Sequence, residues 1–121
     1  MLGRNSYSPG EFDAAAKAIA EALDAGEGPI YFNNLVLALD RRFVHRVRAV
    51  AGKTTNPLNE LELIAESLMS SGGVFTTNTV IKWTPEQSVL GLRPGDTIAL
   101  TRDDFERLST AVLGQLSEFV G

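Results

Sequence analysis

The stretch Ser88-Val-Leu-Gly-Leu-Arg-Pro-Gly-Asp-Thr-Ile-Ala-Leu-Thr101 decides how the last part of this chain is built. Pro94 and Gly95 suit the two central positions of a type II turn, because proline presets φ and glycine accepts a positive φ. Residues 97–100 then alternate polar and apolar side chains, which is typical of a half-buried strand. The stretch therefore predicts a tight turn followed by a short strand.

A helix is predicted to follow this strand directly, from Arg102 to Val120. Thr101 and Asp104 have the spacing of a capping box, with aspartate in place of the usual glutamate or glutamine. Acidic residues in the first turn lie at the positive end of the helix dipole. The apolar residues recur at helical spacing and predict one buried stripe, formed by Phe105, Leu108, Val112, Leu116 and Phe119.

Two more helices are predicted in the first half of the chain. The first covers residues 9–25, with Ser8 as its N-cap and Pro9 at its first position. The second covers residues 34–50, where apolar residues recur with a helical period. Ile30-Tyr-Phe32 precedes it and leaves two interpretations open, a short strand or a hydrophobic staple.

A third upstream helix is predicted after Asn56, which is its N-cap, with Pro57 at its first position. Its acidic residues are expected to face solvent largely, and they are Glu60, Glu62 and Glu66. Val74 to Trp83 is rich in β-branched and aromatic residues, which favours a strand over 79–83.

These elements predict an α+β fold, with three to four helices packed on a small antiparallel sheet of two to three strands. The strand over 79–83 is expected to pair antiparallel with the strand over 97–100. A length of 121 residues predicts a single domain that spans residues 1–121.

Composition indicates a globular protein, with 44% hydrophobic and 21% charged residues. No apolar run is long enough to cross a membrane, and the N-terminus lacks the apolar stretch of a secretory signal. The absence of cysteine excludes disulfides and thiolate metal sites. The expected location is the cytoplasm, in an intracellular protein of bacterial type.

Basic charge is concentrated between residues 41 and 59, a stretch without any acidic residue in a chain of net charge −4. Three interpretations stay open: a solvated face with ion pairs to the acidic residues of the next helix, a surface for an acidic protein partner, or a nucleic-acid contact. The net negative charge argues against a dedicated nucleic-acid binder, without excluding one. The candidate surface consists of Arg41, Arg42, His45, Arg46, Arg48, Lys53, Thr54 and Thr55.

Residues 51–56 resemble a phosphate-binding loop, but Val47 stands where the pattern requires glycine, and a predicted helix precedes the loop in place of a strand. A milder hypothesis is an anion held over residues 53–59 at the start of the next helix. An ordinary helix–helix turn is the alternative. His45 is the only histidine, so a histidine metal cluster is excluded, and no catalytic residue, metal or cofactor is predicted.

Two resemblances accompany these patterns. The passage from Val80 to Leu100, with its Leu-Gly-Leu-Arg-Pro-Gly-Asp turn, resembles the AbrB-like swapped-hairpin domain and implies DNA binding. A longer stretch, about Phe43 to Val120, is similar to a family of small uncharacterised bacterial α+β proteins. Its residues are Val50-Ala-Gly-Lys, Asn56-Pro-Leu-Asn-Glu60, Ser88-Val-Leu-Gly-Leu92, Gly95-Asp96 and Asp104-Phe105. This second resemblance implies a stand-alone domain and no particular activity.

The function expected from the sequence is that of a non-catalytic cytoplasmic domain that acts through protein association as a homodimer. One alternative is a DNA-associated regulator that uses the basic helix over 41–48 or the hairpin over 80–100. Another is a small anionic-ligand binder at residues 53–59.

Overall fold

The described part of the chain folds into four α-helices joined by turns and irregular segments. The computed structural model describes residues 9–47 and 52–117, and of residues 9, 11, 12 and 42–47 it describes the backbone alone. The helices are α1 (Pro9–Leu23), α2 (Pro29–Val47), α3 (Pro57–Ser70) and α4 (Arg102–Leu116), with one 3-10 turn at Pro85–Gln87. The described residues contain no strand and no sheet, only an isolated bridge between Val74 and Thr97. The predicted α+β class is therefore wrong.

The hydrophobic core lies mainly between α2, α3 and α4, while α1 packs chiefly on α4. The predicted apolar stripe of α4 is confirmed over the described residues, and Phe119 lies outside them. The buried apolar side chains are Ala15, Phe32, Val36, Leu39, Leu58, Leu61, Leu63, Ile64, Ala65, Phe75, Ile81, Ile98, Leu100, Phe105, Leu108, Val112 and Leu116.

Most predicted helix starts are confirmed by the caps that the structure contains. The Asn56 side chain accepts the Asn59 N–H at the start of α3, and Pro57 takes the first position. Thr101 and Asp104 form the reciprocal capping box of α4. α1 begins at Pro9 as predicted, although the proposed cap Ser8 lies outside the described residues.

The start of α2 differs from its prediction. The helix begins at Pro29, five residues earlier than the predicted residue 34, so Ile30-Tyr-Phe32 is neither a strand nor a staple. Pro29 provides the fixed φ that suits a first helical position, and Gly28 takes a positive φ of 92° just before it. Phe32, 2% exposed, then enters the core one helical turn before Val36.

The predicted strand over 79–83 does not form because its backbone groups bond elsewhere. The Asn78 side chain accepts the N–H groups of Val80 (3.0 Å) and Ile81 (2.8 Å), which bends the chain. The Lys82 N–H donates to the Lys53 carbonyl (2.7 Å), so this segment pairs with the turn before α3 and not with residues 97–100. The type II turn is consistent with the structure, since Gly95 has φ 97° and the Asp96 N–H donates to the Arg93 carbonyl (3.0 Å).

Within the described part of the chain, no helix combines the length and the apolar character that crossing a membrane requires.

Candidate interaction surface

The described candidates of the basic surface lie on two elements, α2 and the turn that leads into α3. Arg41 is exposed on α2, and Arg42, His45 and Arg46 follow in the last turns of that helix. Arg48 lies outside the described residues, as does the rest of the connection up to residue 51.

The remaining candidates lie in the turn that leads into α3, and this turn is fastened to the segment over 82–84. The Thr55 hydroxyl donates to the Lys82 carbonyl (2.8 Å) and accepts the Thr84 N–H (2.7 Å). Lys53 and Thr54 are exposed. Thr55 therefore has a structural role. Of the three candidates in this turn, Lys53 and Thr54 are the ones whose ammonium and hydroxyl groups face solvent.

The first N–H groups of α3 are already occupied, which bears directly on the anion hypothesis. The Leu58 N–H donates to the Gln115 side chain (3.1 Å), and the Asn59 N–H to the Asn56 side chain (3.0 Å). The Glu60 N–H donates to the Asn56 carbonyl (2.8 Å). An anion near this helix start would therefore have the Lys53 ammonium and the Thr54 hydroxyl to bind, and not the backbone donors of the helix.

Glu60 corrects the prediction that this acidic residue faces solvent. Its side chain is fully buried, and its two carboxylate oxygens accept the N–H groups of Val89 (2.8 Å) and Leu90 (2.9 Å). Burial raises its pKa above 4.5, while these two N–H groups and the charge of Arg107 act in the opposite direction. Glu60 thus holds the segment after the 3-10 turn against α3 and is not available to pair with the basic surface.

Two short extended segments, residues 73–75 and 95–98, form what we call the ladder. The Phe75 N–H donates to the Asp96 carbonyl (2.7 Å), the Gly95 N–H to the Phe75 carbonyl (2.9 Å) and the Ile98 N–H to the Gly73 carbonyl (2.8 Å). Val74 and Thr97 face each other as an antiparallel pair. The sequence predicted that residues 97–100 pair with the segment over 79–83. They lie beside residues 73–75 instead, so the predicted hairpin over 80–100 does not form.

Asn33 of α2 continues the ladder on the side where residues 73–75 lie. Its side-chain amide donates to the Ile98 carbonyl (3.0 Å) and accepts the Leu100 N–H (3.2 Å). The amide therefore acts like the backbone of a neighbouring strand, and it fixes the extended segment before α4 to the middle of the chain.

An apolar groove of about 290 Å³ lies beside the ladder, between α2 and the end of α3. Ile30 and Leu37 line it from α2, Leu68 lines it from α3, and Gly73 and Thr97 line it from the ladder. Ile30 is 81% exposed, the largest exposure of any large apolar side chain among the described residues. Such a side chain beside an apolar groove is typical of a protein contact surface.

The ladder also has an open edge, formed by the outer backbone groups of Thr97 and Ala99. Val74 and Thr97 form a non-hydrogen-bonded antiparallel pair. In such a pair the N–H and C=O groups of each residue point away from the other segment. The N–H and C=O groups of Thr97 and Ala99 bond to no other residue in the described part of the chain. Thr97 and Ala99 are exposed, whereas the alternate residues Ile98 and Leu100 are buried.

Two further cavities lie elsewhere. One of about 480 Å³ lies between the α1–α2 connection and the start of α4, where Arg102 donates to Asp24 (3.0 Å) and to the Leu23 carbonyl (3.3 Å). The other, of about 160 Å³, lies between α1 and α2 over Phe105 and is lined by apolar side chains. None of the predicted candidate residues lines either of them or the groove.

Sequence reasoning missed both the groove and the open edge. Ile30 and Leu37 are seven residues apart, which places them on one helix face, but this signal requires α2 to begin at Pro29. Nothing in the sequence indicates that the outer backbone groups of Thr97 and Ala99 lack partners among the described residues, because that depends on which segment pairs with this stretch.

This chain matches no protein-family model, no curated protein and no solved structure.

Proposed function

We propose that this protein is a non-catalytic association domain that works as a homodimer. The observation that carries the proposal is Ile30, which is 81% exposed at the rim of the groove between α2 and α3. An apolar side chain of this size gains free energy when a partner covers it, about 1.5–3 kcal/mol for full burial. We expect the second copy to cover Ile30 and the neighbouring groove.

The surroundings of Ile30 support a protein as the occupant. The groove combines Ile30, Leu37 and Leu68 with the polar residues Asn33 and Thr97. Interfaces between proteins have this mixture of an apolar centre and a polar surround. The Asn33 amide already bonds to the ladder, so the groove is held in shape before any partner arrives.

The proposal is tested by the mass of the protein in solution. Sedimentation equilibrium at micromolar concentrations should give twice the monomer mass of 13.0 kDa. Ile30→Glu should weaken self-association at least about tenfold, equivalent to about 1.4 kcal/mol, because a charge would be buried in the interface. The new carboxylate lies at the start of α2, where the helix dipole favours it, so the fold should remain intact.

Val80→Glu is the matched control, because Val80 is also large, apolar and exposed (61%) but does not line the groove. It should self-associate like the unmodified protein. A monomer at every concentration tested would contradict the homodimer, and equal effects of the two substitutions would remove the groove from the interface.

A further inference from the structure

The open edge of Thr97 and Ala99 is exceptional within the described ladder, because both the N–H and the C=O groups lack partners there, whereas the N–H groups on the far side are bonded. On the far side, the Val74 N–H donates to the Ser71 carbonyl (3.2 Å) and the Thr76 N–H to the Ser67 hydroxyl (3.0 Å). On the near side, residues 95–98 bond to residues 73–75, and the Asn33 amide bonds to the Ile98 carbonyl and the Leu100 N–H. Among the described residues of the ladder, only the outer side of residues 97–99 presents both donors and acceptors without a partner.

Residues 97–99 lack the sequence features that keep another strand from adding to an exposed edge. Folded proteins protect exposed strand edges with proline, charged side chains or bulges. Residues 97–99 are Thr-Ile-Ala, without a charge or a proline. Thr97 and Ala99 carry small side chains on the exposed side, and the Ile98 side chain is buried in the core.

We infer that two copies of this chain pair antiparallel through residues 97–99, about a two-fold axis that passes beside Ile98. This inference rests on the proposed homodimer and specifies its contact. Thr97 of one copy lies opposite Ala99 of the second copy, and Ala99 opposite Thr97 of the second copy. Residues that oppose each other as a hydrogen-bonded pair exchange both N–H···O=C bonds, so the two pairs form four bonds.

Self-complementarity is the reason for choosing a second copy as the occupant. The unbonded N–H and C=O groups lie on Thr97 and Ala99, one residue on each side of Ile98. A second copy related by a two-fold axis therefore presents an acceptor to each donor and a donor to each acceptor. The side chains that would meet, threonine and alanine, are small and uncharged. Thr97 also lines the groove that Ile30 borders, so the edge and the groove share this residue.

Amide hydrogen exchange, measured by NMR on the full chain at high and low concentration, tests this pairing. In the dimer the amides of Thr97 and Ala99 should exchange at least about tenfold more slowly than in the diluted monomer. The Ile98 amide donates to the Gly73 carbonyl within one copy, so its protection should change much less. This amide provides an internal control at the adjacent residue.

Ala99→Pro removes one of the donors and should weaken dimerisation at least about tenfold, because each symmetric pair loses a bond and the ring obstructs approach. The Ala99 N–H has no partner within the described monomer, so the fold is expected to tolerate the substitution. Ala99→Thr keeps the N–H and suits an extended segment, so it should dimerise like the unmodified protein.

A dimer whose Thr97 and Ala99 amides exchange as fast as in the monomer would overturn the edge pairing and leave the proposed homodimer standing. A protein that stays monomeric at all concentrations would overturn both. If Ala99→Pro fails to fold, the exchange measurement on the unmodified chain decides the question alone.

Discussion

Glu60 is held in an environment that favours its neutral form, yet its contacts are those of a carboxylate. Both oxygens accept backbone N–H groups, from Val89 and Leu90, and the Arg107 guanidinium acts on it from α4. Arg107 itself donates to the Val89 carbonyl (3.2 Å). Glu60 and Arg107 together therefore hold the segment around Val89 against α3 and α4.

Glu60→Gln should lower the free energy of unfolding by about 1–3 kcal/mol at pH 7, since one backbone N–H would then face an amide N–H₂ in place of an acceptor. Urea denaturation measures the loss. Glu66→Gln on the exposed face of the same helix is the control and should stay within about 0.5 kcal/mol of the unmodified protein. Equal stability of the two variants would show that the buried contact contributes little.

The titration of Glu60 gives a separate prediction. Because its folded pKa is raised above 4.5, the folded state holds the proton more tightly than the unfolded state. The contribution of Glu60 to the free energy of unfolding should therefore fall as pH rises from about 4.5 through the folded pKa. Denaturation of the unmodified protein and of Glu60→Gln across this window should give a difference that shrinks with rising pH. A difference that grows with pH would mean that the folded pKa is lowered instead.

The first turn of α4 depends on its capping box. The Thr101 hydroxyl accepts the Asp104 N–H (3.1 Å), and the Asp104 carboxylate accepts the Thr101 N–H (3.0 Å). Burial raises the pKa of Asp104, but the hydrogen bonds from Thr101 and Arg107 lower it more, so the pKa of Asp104 in the folded protein lies below 3.8. The stabilisation from Asp104 should be present above pH 3.8 and lost as pH falls through its folded pKa.

Thr101→Ala should cost about 1 kcal/mol of stability at neutral pH, because the N-cap acceptor is lost. Thermal or urea unfolding followed by circular dichroism measures it. Thr110→Ala, exposed inside the same helix, is the matched control and should be neutral or slightly stabilising, since alanine is the better helix former. A cost at residue 110 that equals the cost at residue 101 would argue against capping as the cause.

The helices could be predicted from the sequence because the residues that start them are close together in the chain. The pairing partners of the extended segments could not be predicted, because they are distant in sequence. Asn56, Pro57 and Thr101 mark helix starts within a few residues of themselves. Asn33, by contrast, bonds to residues near position 100, and no local pattern indicates that contact. The predicted sheet failed for the same reason, since β-branched composition over 79–83 indicates extended chain but not its partner.

The irregular region between α3 and α4 is fastened to the helices by side chains more than by strands. Asn33, Glu60 and Ser67 each bond its backbone from a helix. Trp83 packs on Phe75 with ring centroids 5.1 Å apart, inside this region. These contacts should make the whole domain unfold as one unit.

Denaturant titration should therefore show one transition, with the same midpoint for the helix signal in circular dichroism and for the fluorescence of Trp83, the only tryptophan. The indole N–H of Trp83 donates to the Leu92 carbonyl (2.9 Å), so the emission of this side chain reports on the irregular region. A fluorescence change at clearly lower denaturant would mean that this region opens while the helices persist.

The Asn33 amide has a consequence for the speed of folding. It joins two points of the chain that are 67 residues apart at Leu100, and Leu58 and Gln115 are joined across 57 residues. Helical proteins usually fold fast because their contacts are close in sequence, and folding slows as the mean separation of contacting residues grows. This domain must close most of its length before its irregular region is secured. Its refolding rate should therefore resemble that of mixed α/β domains more than that of simple helical bundles.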